Sequence, residues 1–359
     1  MKDKLQALRT RIDALDEKIQ SLLSERAKCA QEVAEVKRIG GEQNECYRAE
    51  REAEVLRKVL ERNQGPLSDE DVTRLFREVM SVCRALEQPL TIACLGPQGT
   101  YSEAAALKHF GHAVTLLPLA DIDAIFHDVE SASANYGVVP VENSTEGSVS
   151  RTLDMLMVSP LRICGEIELR VNHHLLAKAD TLAEIRRVYA HQQALAQCRG
   201  WLANHLPRVE LQPVSSNAEG ARRAAQESDA AAIASDHAAS IYQLRSLAAS
   251  IEDVSSNATR FLVLGRQDTS PSGSDKTSLL ISTRNKSGAL HHLLASLANH
   301  KISMTRIESR PSRQAAWEYV FFIDIEGHAQ DPAVALALQE IQSEATLLKV
   351  LGSYPKAVL

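Results

Sequence analysis

No two of the six cysteines (Cys29, Cys46, Cys83, Cys94, Cys164, Cys198) stand in a CxxC pair. That excludes a disulfide framework and a zinc pattern, and the thiols are expected to be reduced. Positive charge is not in excess: 40 Lys+Arg stand against 46 Asp+Glu, a formal net charge of −6. Nucleic acid is therefore not expected as a partner. No uninterrupted apolar run approaches the roughly 18 residues a membrane span needs. The opening Met1, Lys2, Asp3, Lys4 leads into charged helical sequence without the apolar stretch of a secretory signal. A cytoplasmic protein without a membrane partner is expected. There is no HExxH and no spaced Cys/His set, and the adjacent pairs His173, His174 and His291, His292 diverge on any regular element. Neither a metal nor a cofactor is expected.

What is present is ordinary for a globular chain: 359 residues, 44% hydrophobic and 24% charged. Disorder and collagen are excluded, and the length exceeds what one core organises, so two or three domains are expected. Residues 1–88 hold Gly and Pro only at Gly40, Gly41 and Gly65, Pro66, with apolar residues at helical spacing, which predicts three helices. From about residue 90, β-rich runs (90–95, 136–141, 261–264) alternate with Ala-rich amphipathic stretches (183–187, 218–226), an α/β pattern. Residues 266–275, RQDTSPSGSD, have the composition of a flexible linker. Residues 276–359 then read strand 277–283, helix 288–299, strands 302–309 and 316–325, helix 332–343 and strand 347–354. The order βαββαβ is that of a ferredoxin-like sandwich. The expected division is 1–88, 89–265, linker 266–275, and 276–359.

On a helix over about residues 3–38, Leu5, Leu8, Ile12, Leu15, Ile19, Leu22, Leu23 and Val33 form a stripe about 100° wide. At roughly 54 Å the helix is longer than a three-helix monomer can cover, which points to dimerisation through shared helices. Arg26 and Lys37 project within that stripe and Arg9 just outside it; Arg48 and Glu52 lie beside Leu56, Val59 and Leu60, and Glu87 with Val72, Phe76, Met80 and Cys83. Unpaired charge there is costly. Two readings stand: an internal ion-pair network with snorkelling stems, or a cationic pocket for a compact dicarboxylate, gripped by guanidinium forks and an ammonium point charge. With no nucleophile or base among them, the second implies catalysis by electrostatic preorganisation and restraint.

The stretch LRTRIDALDEKIQSLLSER (8–26), Lys37 and RAEREAEVL (48–56) resemble the all-helical, intertwined-dimer chorismate mutases. The resemblance implies the rearrangement of chorismate to prephenate, with catalytic positions falling on Arg9 from the partner chain, Arg26, Lys37, Arg51, Glu52 and Glu87, and with Arg48 and Cys83 in substrate contact. Arg48 stands where an Asp often sits. Glu87 stands where a Gln donates to the substrate ether oxygen, so mutase activity is expected to fall as pH rises and Glu87 loses its proton.

Three further motifs follow. GPQGTYS (96–102) comes after a strand and opens a helix whose amides can receive an anion; a tight turn without ligand is the plain alternative. VPVENSTEGSV (139–149) packs polar side chains at a strand end, where open α/β sheets carry sites; an Asx or Ser turn is its alternative. SSNATRF (255–261) feeds a strand, and Arg260 there has the alternative of a structural ion pair. In this order the three resemble the prephenate dehydratase domain. That implies two α/β lobes like a periplasmic binding protein, a site in the cleft between them, and conversion of prephenate to phenylpyruvate with loss of water and CO2. Thr259 then assists the leaving hydroxyl, while Thr100, Glu142, Asn143, Ser144, Thr145, Gln197, Arg260 and Phe261 contact substrate. His191 either lines the cleft or is simply packed or exposed. Ala190 replaces a Ser common before that His.

The C-terminal βαββαβ segment, with GAL (288–290) at a helix start and ESRP (308–311) after a strand, resembles a phenylalanine-binding ACT domain. Asn285, Gly288, Ala289, Leu290, Glu308, Ser309, Arg310 and Pro311 are the implied ligand contacts, with feedback inhibition by L-phenylalanine and a homodimer or higher assembly. A ligand-free dimerisation module is the alternative for this domain. For the whole chain, a non-catalytic amino-acid sensor and an enzyme keeping one activity are the alternatives. The inward Arg9, Arg26, Lys37 and Glu52 argue against the sensor.

Overall fold

The computed structural model describes residues 2–40, 47–254, 256–283, 287–311 and 319–358. The N-terminal region is helical: α1 (Lys2–Gly40), α2 (Ala49–Arg62) and α3 (Asp69–Ala85). Ser68 caps α3, its hydroxyl accepting from Asp71 N at 3.1 Å, with three acidic residues in the first turn to meet the helix dipole. Helix α1 buries none of its residues; Leu8 is 50% and Ile19 55% exposed, so its apolar stripe has no cover within one chain.

The first lobe of the middle region holds β1 (Thr91–Leu95), α4 (Tyr101–Phe110), β2 (Thr115–Leu119), α5 (Ile122–Glu130), β3 (Tyr136–Asn143), β4 (Gly147–Ser148), α6 (Ser150–Val158) and β5 (Arg162–Arg170). The second holds β6 (His174–Ala177), β7 (Arg187–His191), α7 (Gln192–Gln197), α8 (Arg199–His205), β8 (Glu210–Val214), α9 (Asn217–Ala224), β9 (Ala230–Ala234), α10 (Asp236–Tyr242) and β10 (Arg245–Ala248). The chain then returns to the first lobe as β11 (Ala258–Gly265), and the sheets run β2-β1-β3-β11-β5, with β4 on β3, and β10-β6-β9-β7-β8. The chain therefore crosses between the lobes twice, at 171–173 after β5 and again between β10 and β11. The stretch 183–187 is not the helix its alanine content suggests: a 3-10 turn, Leu182–Glu184, leads directly into β7. Val188, Tyr189 and Ala190 of β7 are buried in succession, with Val188 and Ala190 in one core and Tyr189 in another, and tertiary packing overrides the weak local preference.

The last region has β12 (Asp275–Ser282), α11 (Ala289–Asn299), β13 (Met304–Pro311), β14 (Tyr319–Glu326), α12 (Pro332–Glu344) and β15 (Leu347–Pro355) in the order β13-β14-β12-β15, the ferredoxin-like order expected. Strand β15 lies on β5 so closely that a Cβ at Gly352 would collide with the Ile163 backbone. The segment 266–275 is not loose. Arg266 donates to the carbonyls of Val129 (2.6 Å) and Ala134 (3.0 Å), and Arg57 of α2 donates to Ser272 O (2.7 Å) and Ser272 Oγ (2.8 Å). Ser and Gly composition signals freedom only where no neighbour supplies donors, and two arginines supply them here.

Candidate active site

Where the two lobes meet lies a cavity of about 400 Å³ lined by Tyr101, Asn143, His173, Gln197, Asn257 and Thr259, among others. Backbone geometry fixes the direction of its hydrogen bonds. Asn143 Oδ1 accepts from the backbone amides of Thr145 (3.0 Å) and Glu146 (3.3 Å), so its Nδ2 must face the other way. There it donates to Thr259 Oγ1 (2.8 Å) and Asn257 Oδ1 (2.9 Å). Asn257 Nδ2 then donates to Gln197 Oε1 (3.1 Å), and Gln197 Nε2 donates across the cleft to Thr145 Oγ1 (2.9 Å), whose hydroxyl donates to Asn143 Oδ1 (2.6 Å). Gln197 Oε1 is 2.8 Å from His173 Nε2, which must carry a proton to donate there. Burial holds the His173 imidazole below its ordinary pKa. The network ends on Thr259, whose oxygen is held by Asn143 and whose proton has no hydrogen-bond acceptor among the described residues.

The structure thus brings together Asn143, Thr145, Gln197 and Thr259 of the residues expected from sequence. Others lie elsewhere. Arg260, next to Thr259 on β11, points to the opposite face and forks onto Glu166 (3.0 Å) and Asp324 (2.6 Å), with Tyr354 OH at 3.0 Å, so it is an interdomain ion pair and not a substrate ligand. Phe261 is 2% exposed in the core with Ile92 and Val263. His191 is exposed and caps α7, its ring accepting from Gln193 N. Glu142 turns to Arg306 of β13 at 2.9 Å. Thr100 caps α4 and donates to Leu95 O (2.6 Å); Ser144 is a backbone latch accepting from Ala258 N (3.0 Å). Ala190 is fully buried in β7 and does not line the cavity. Three members of the network, Tyr101, His173 and Asn257, are not among the residues the sequence singles out, although Tyr101 and Asn257 stand inside its motifs. His173 carries no local signal, because the chain crossing between lobes is what aims it.

In the helical region, Lys37 meets Glu87 at 3.3 Å, and Glu52 meets Arg84, whose Nη2 donates to Phe110 O (2.7 Å). Burial raises the Glu52 pKa, opposed by the charges of Arg84, Arg77 and Arg26. Glu87 lies just beyond the end of α3 rather than on its apolar face. Cys83 is buried; Arg9 and Arg48 are exposed; Arg51 is exposed and pairs with Glu54 at 2.7 Å. Among the described residues, Arg9, Arg48 and Arg51 are exposed while Glu52, Arg84, Lys37 and Glu87 form ion pairs, and the charge of Arg26 reaches Glu52.

In the last region Gly288 has φ +79°, a left-handed conformation that leaves Ala289 and Leu290 to open α11. A cavity of about 750 Å³ there is lined by Ala289, His292, Ser343 and Thr346, among others, but by none of residues 308–311. Glu308 and Arg310 are half-buried while Ser309 and Pro311 are exposed, and Arg310 is paired with Asp154 of α6 at 3.0 Å. Asn285 lies outside the described residues.

Fold and cavity define the class: a two-lobed α/β domain with a cavity between its lobes, preceded by a helical domain and followed by a ferredoxin-like one. Family models match in the same order, chorismate mutase type II over residues 8–88, prephenate dehydratase over 92–269 and the ACT domain over 277–342. The chain belongs to the bifunctional chorismate mutase/prephenate dehydratases and is an enzyme with both activities. The bifunctional chorismate mutase/prephenate dehydratase of Stutzerimonas stutzeri is 56% identical over 361 residues, 99% of each chain. The prephenate dehydratase of Arthrobacter aurescens, solved in complex with L-Phe, is 36% identical over 74% of this chain and 90% of its own, with a TM-score of 0.68. A protein described as a novel type of quorum quenching acylase is 31% identical over 74% of this chain and 98% of its own, with a TM-score of 0.69.

Proposed function

We propose the following division of labour. Prephenate binds between the lobes with its ring hydroxyl at Thr259. The electrons of the C–CO2 bond enter the ring as CO2 leaves and the ring C–O bond breaks; the departing hydroxide takes the Thr259 hydroxyl proton and leaves as water, solvent returns a proton to Thr259, and phenylpyruvate remains. Asn143, with Thr145 and Gln197 behind it, holds the Thr259 oxygen so that its proton stays available. The observation that carries this reading is the backbone-fixed orientation of Asn143, which makes the amide the donor and leaves the Thr259 proton available.

Chorismate rearranges in the helical domain without proton transfer. Arg26 and Lys37 grip its two carboxylates, assisted by Arg51, Glu52 and Glu87, with Arg9 supplied by a second copy docking along the uncovered stripe of α1. A homodimer is thus part of the mutase site. Substrate competes with Glu87 for Lys37. L-Phenylalanine binds at the start of α11, around Gly288, Ala289 and Leu290, completed by residues 308–311 of a second copy, and inhibits turnover in a cytoplasmic route to phenylalanine.

The test is purified protein with chorismate, following its loss and the appearance of phenylpyruvate with and without phenylalanine. Chorismate loss, phenylpyruvate formation and inhibition are expected together. Chorismate loss without phenylpyruvate would leave only the mutase half of the reading standing.

A further inference from the structure

The hairpin that presents Asn143 is held from outside its own domain. Strand β13 is the edge of the ACT sheet, and Arg306 leaves it to reach both arms of the β3–β4 hairpin: Nε lies 2.9 Å from Glu142 Oε2, and Nη2 donates to Ser148 Oγ at 2.8 Å. Glu142 and Ser148 are register partners across that hairpin, flanking Asn143 and Gly147. Ser148 lines the dehydratase cavity, and Arg306 is 11% exposed. Four residues further along β13, on the same face, Arg310 pairs with Asp154 on α6, the helix that follows the hairpin. The strand bearing the ESRP motif therefore grips both the loop that orients Thr259 and the helix behind it.

We propose that Arg306 is the residue through which the ACT domain acts on dehydratase turnover. A change in the position of β13 moves the guanidinium, and the guanidinium carries Glu142 and Ser148 with it. Asn143 lies between them, so its amide leaves the Thr259 oxygen and the hydroxyl loses its aim. The bidentate contact matters because a fork transmits rotation as well as translation, which a point charge does not. This inference rests on the reading that phenylalanine binds and inhibits, and it names the contact that carries the inhibition.

The experiment uses the full chain as wild type, R306M, R306K, E142Q and R306M/E142Q. For each, dehydratase kcat/KM is measured with and without saturating phenylalanine, phenylalanine binding by calorimetry, and mutase turnover as a check on folding. In wild type a coupling of the ordinary size lowers kcat/KM by roughly 5- to 150-fold. In R306M and in E142Q that ratio falls toward one while phenylalanine still gives heat. R306K lies between, and the double variant is no worse than either single one, as expected of two groups acting through one contact. E142Q is nearly isosteric and reads the same contact if R306M loses mutase turnover through misfolding. Wild-type inhibition retained in R306M and E142Q overturns the proposal, as does loss of phenylalanine heat in R306M, which would place Arg306 in the ligand pocket. A wild-type chain with neither heat nor inhibition overturns instead the reading beneath it.

Discussion

Asn143 Nδ2 and Thr259 Oγ1 lie 2.8 Å apart on neighbouring strands β3 and β11, paired in register, and only one of them can be the donor. Because Thr145 N and Glu146 N occupy the Asn143 oxygen, the amide donates and the threonine keeps its proton. Thr259→Ala is expected to lower dehydratase kcat roughly 100-fold or more, the size of effect seen when one preorganised donor is removed. Thr259→Ser should keep most of the rate, and mutase turnover should stay at its wild-type value in both. Steady-state kinetics with prephenate and with chorismate check this; parallel loss of both activities would contradict separate sites.

Glu87 faces Lys37 at 3.3 Å, and it can donate a hydrogen bond to a substrate ether only with its proton on. Glu87→Gln, which keeps a donor at that position without the charge, is expected to raise mutase kcat/KM and to reduce the competition for Lys37. Unchanged mutase kcat/KM in both Glu87→Gln and Glu87→Ala, measured with chorismate, would refute the role.

The stripe of α1 is exposed from Leu5 to Val33 in a single chain. Placing a charge at its middle with Ile19→Asp is expected to weaken self-association. It should also lower mutase turnover roughly 100-fold, as expected when a catalytic group is displaced, while leaving dehydratase turnover in place. Sedimentation velocity across a concentration series, alongside both assays, measures the link.

His109 of α4 is half-buried against the helical domain, its Nε2 2.6 Å from the Tyr47 hydroxyl. Loss of solvent around the ring, helped by the charges of Arg77 and Arg84, pushes its pKa down to about 3 from the ordinary 6.5. The unfolded chain therefore binds a proton that the folded chain refuses, and stability present above the unfolded pKa is lost as pH falls from 6.5 toward 3. This residue alone should contribute a slope of up to about 1.4 kcal/mol per pH unit in that window. His109→Asn should remove that slope; denaturant unfolding at a series of pH values from neutral to acid would show it, and an unchanged slope would mean the imidazole is protonated in the folded state.

Much of the architecture was legible in the residues. Helical periodicity with two Gly-marked breaks was enough for α1, α2 and α3, and the βαββαβ order was enough for the ACT sheet, because these patterns are local and repeat every few residues. Motif residues Asn143, Thr145 and Thr259 could be named from the string because their motifs resemble the family's, and Gln197, at the end of α7, only through that resemblance. Arg260 and Phe261, in the same motif as Thr259, could not be sorted from it: strand pleating turns Arg260 to the ACT domain, and a bulge between Arg260 and Phe261 seats the ring in the core.

By itself, then, the order of amino acids determined most of the helices and strands and named the groups proposed to carry the chemistry. Only the tertiary structure decided which of those groups face one another: that His173 closes on Gln197, that Glu142 is held by Arg306, and that residues 266–275 are fastened rather than free. The reason is physical. Periodicity and capping act over a few residues along the chain, whereas the direction of a hydrogen bond or the partner of a charge depends on atoms brought together from distant positions.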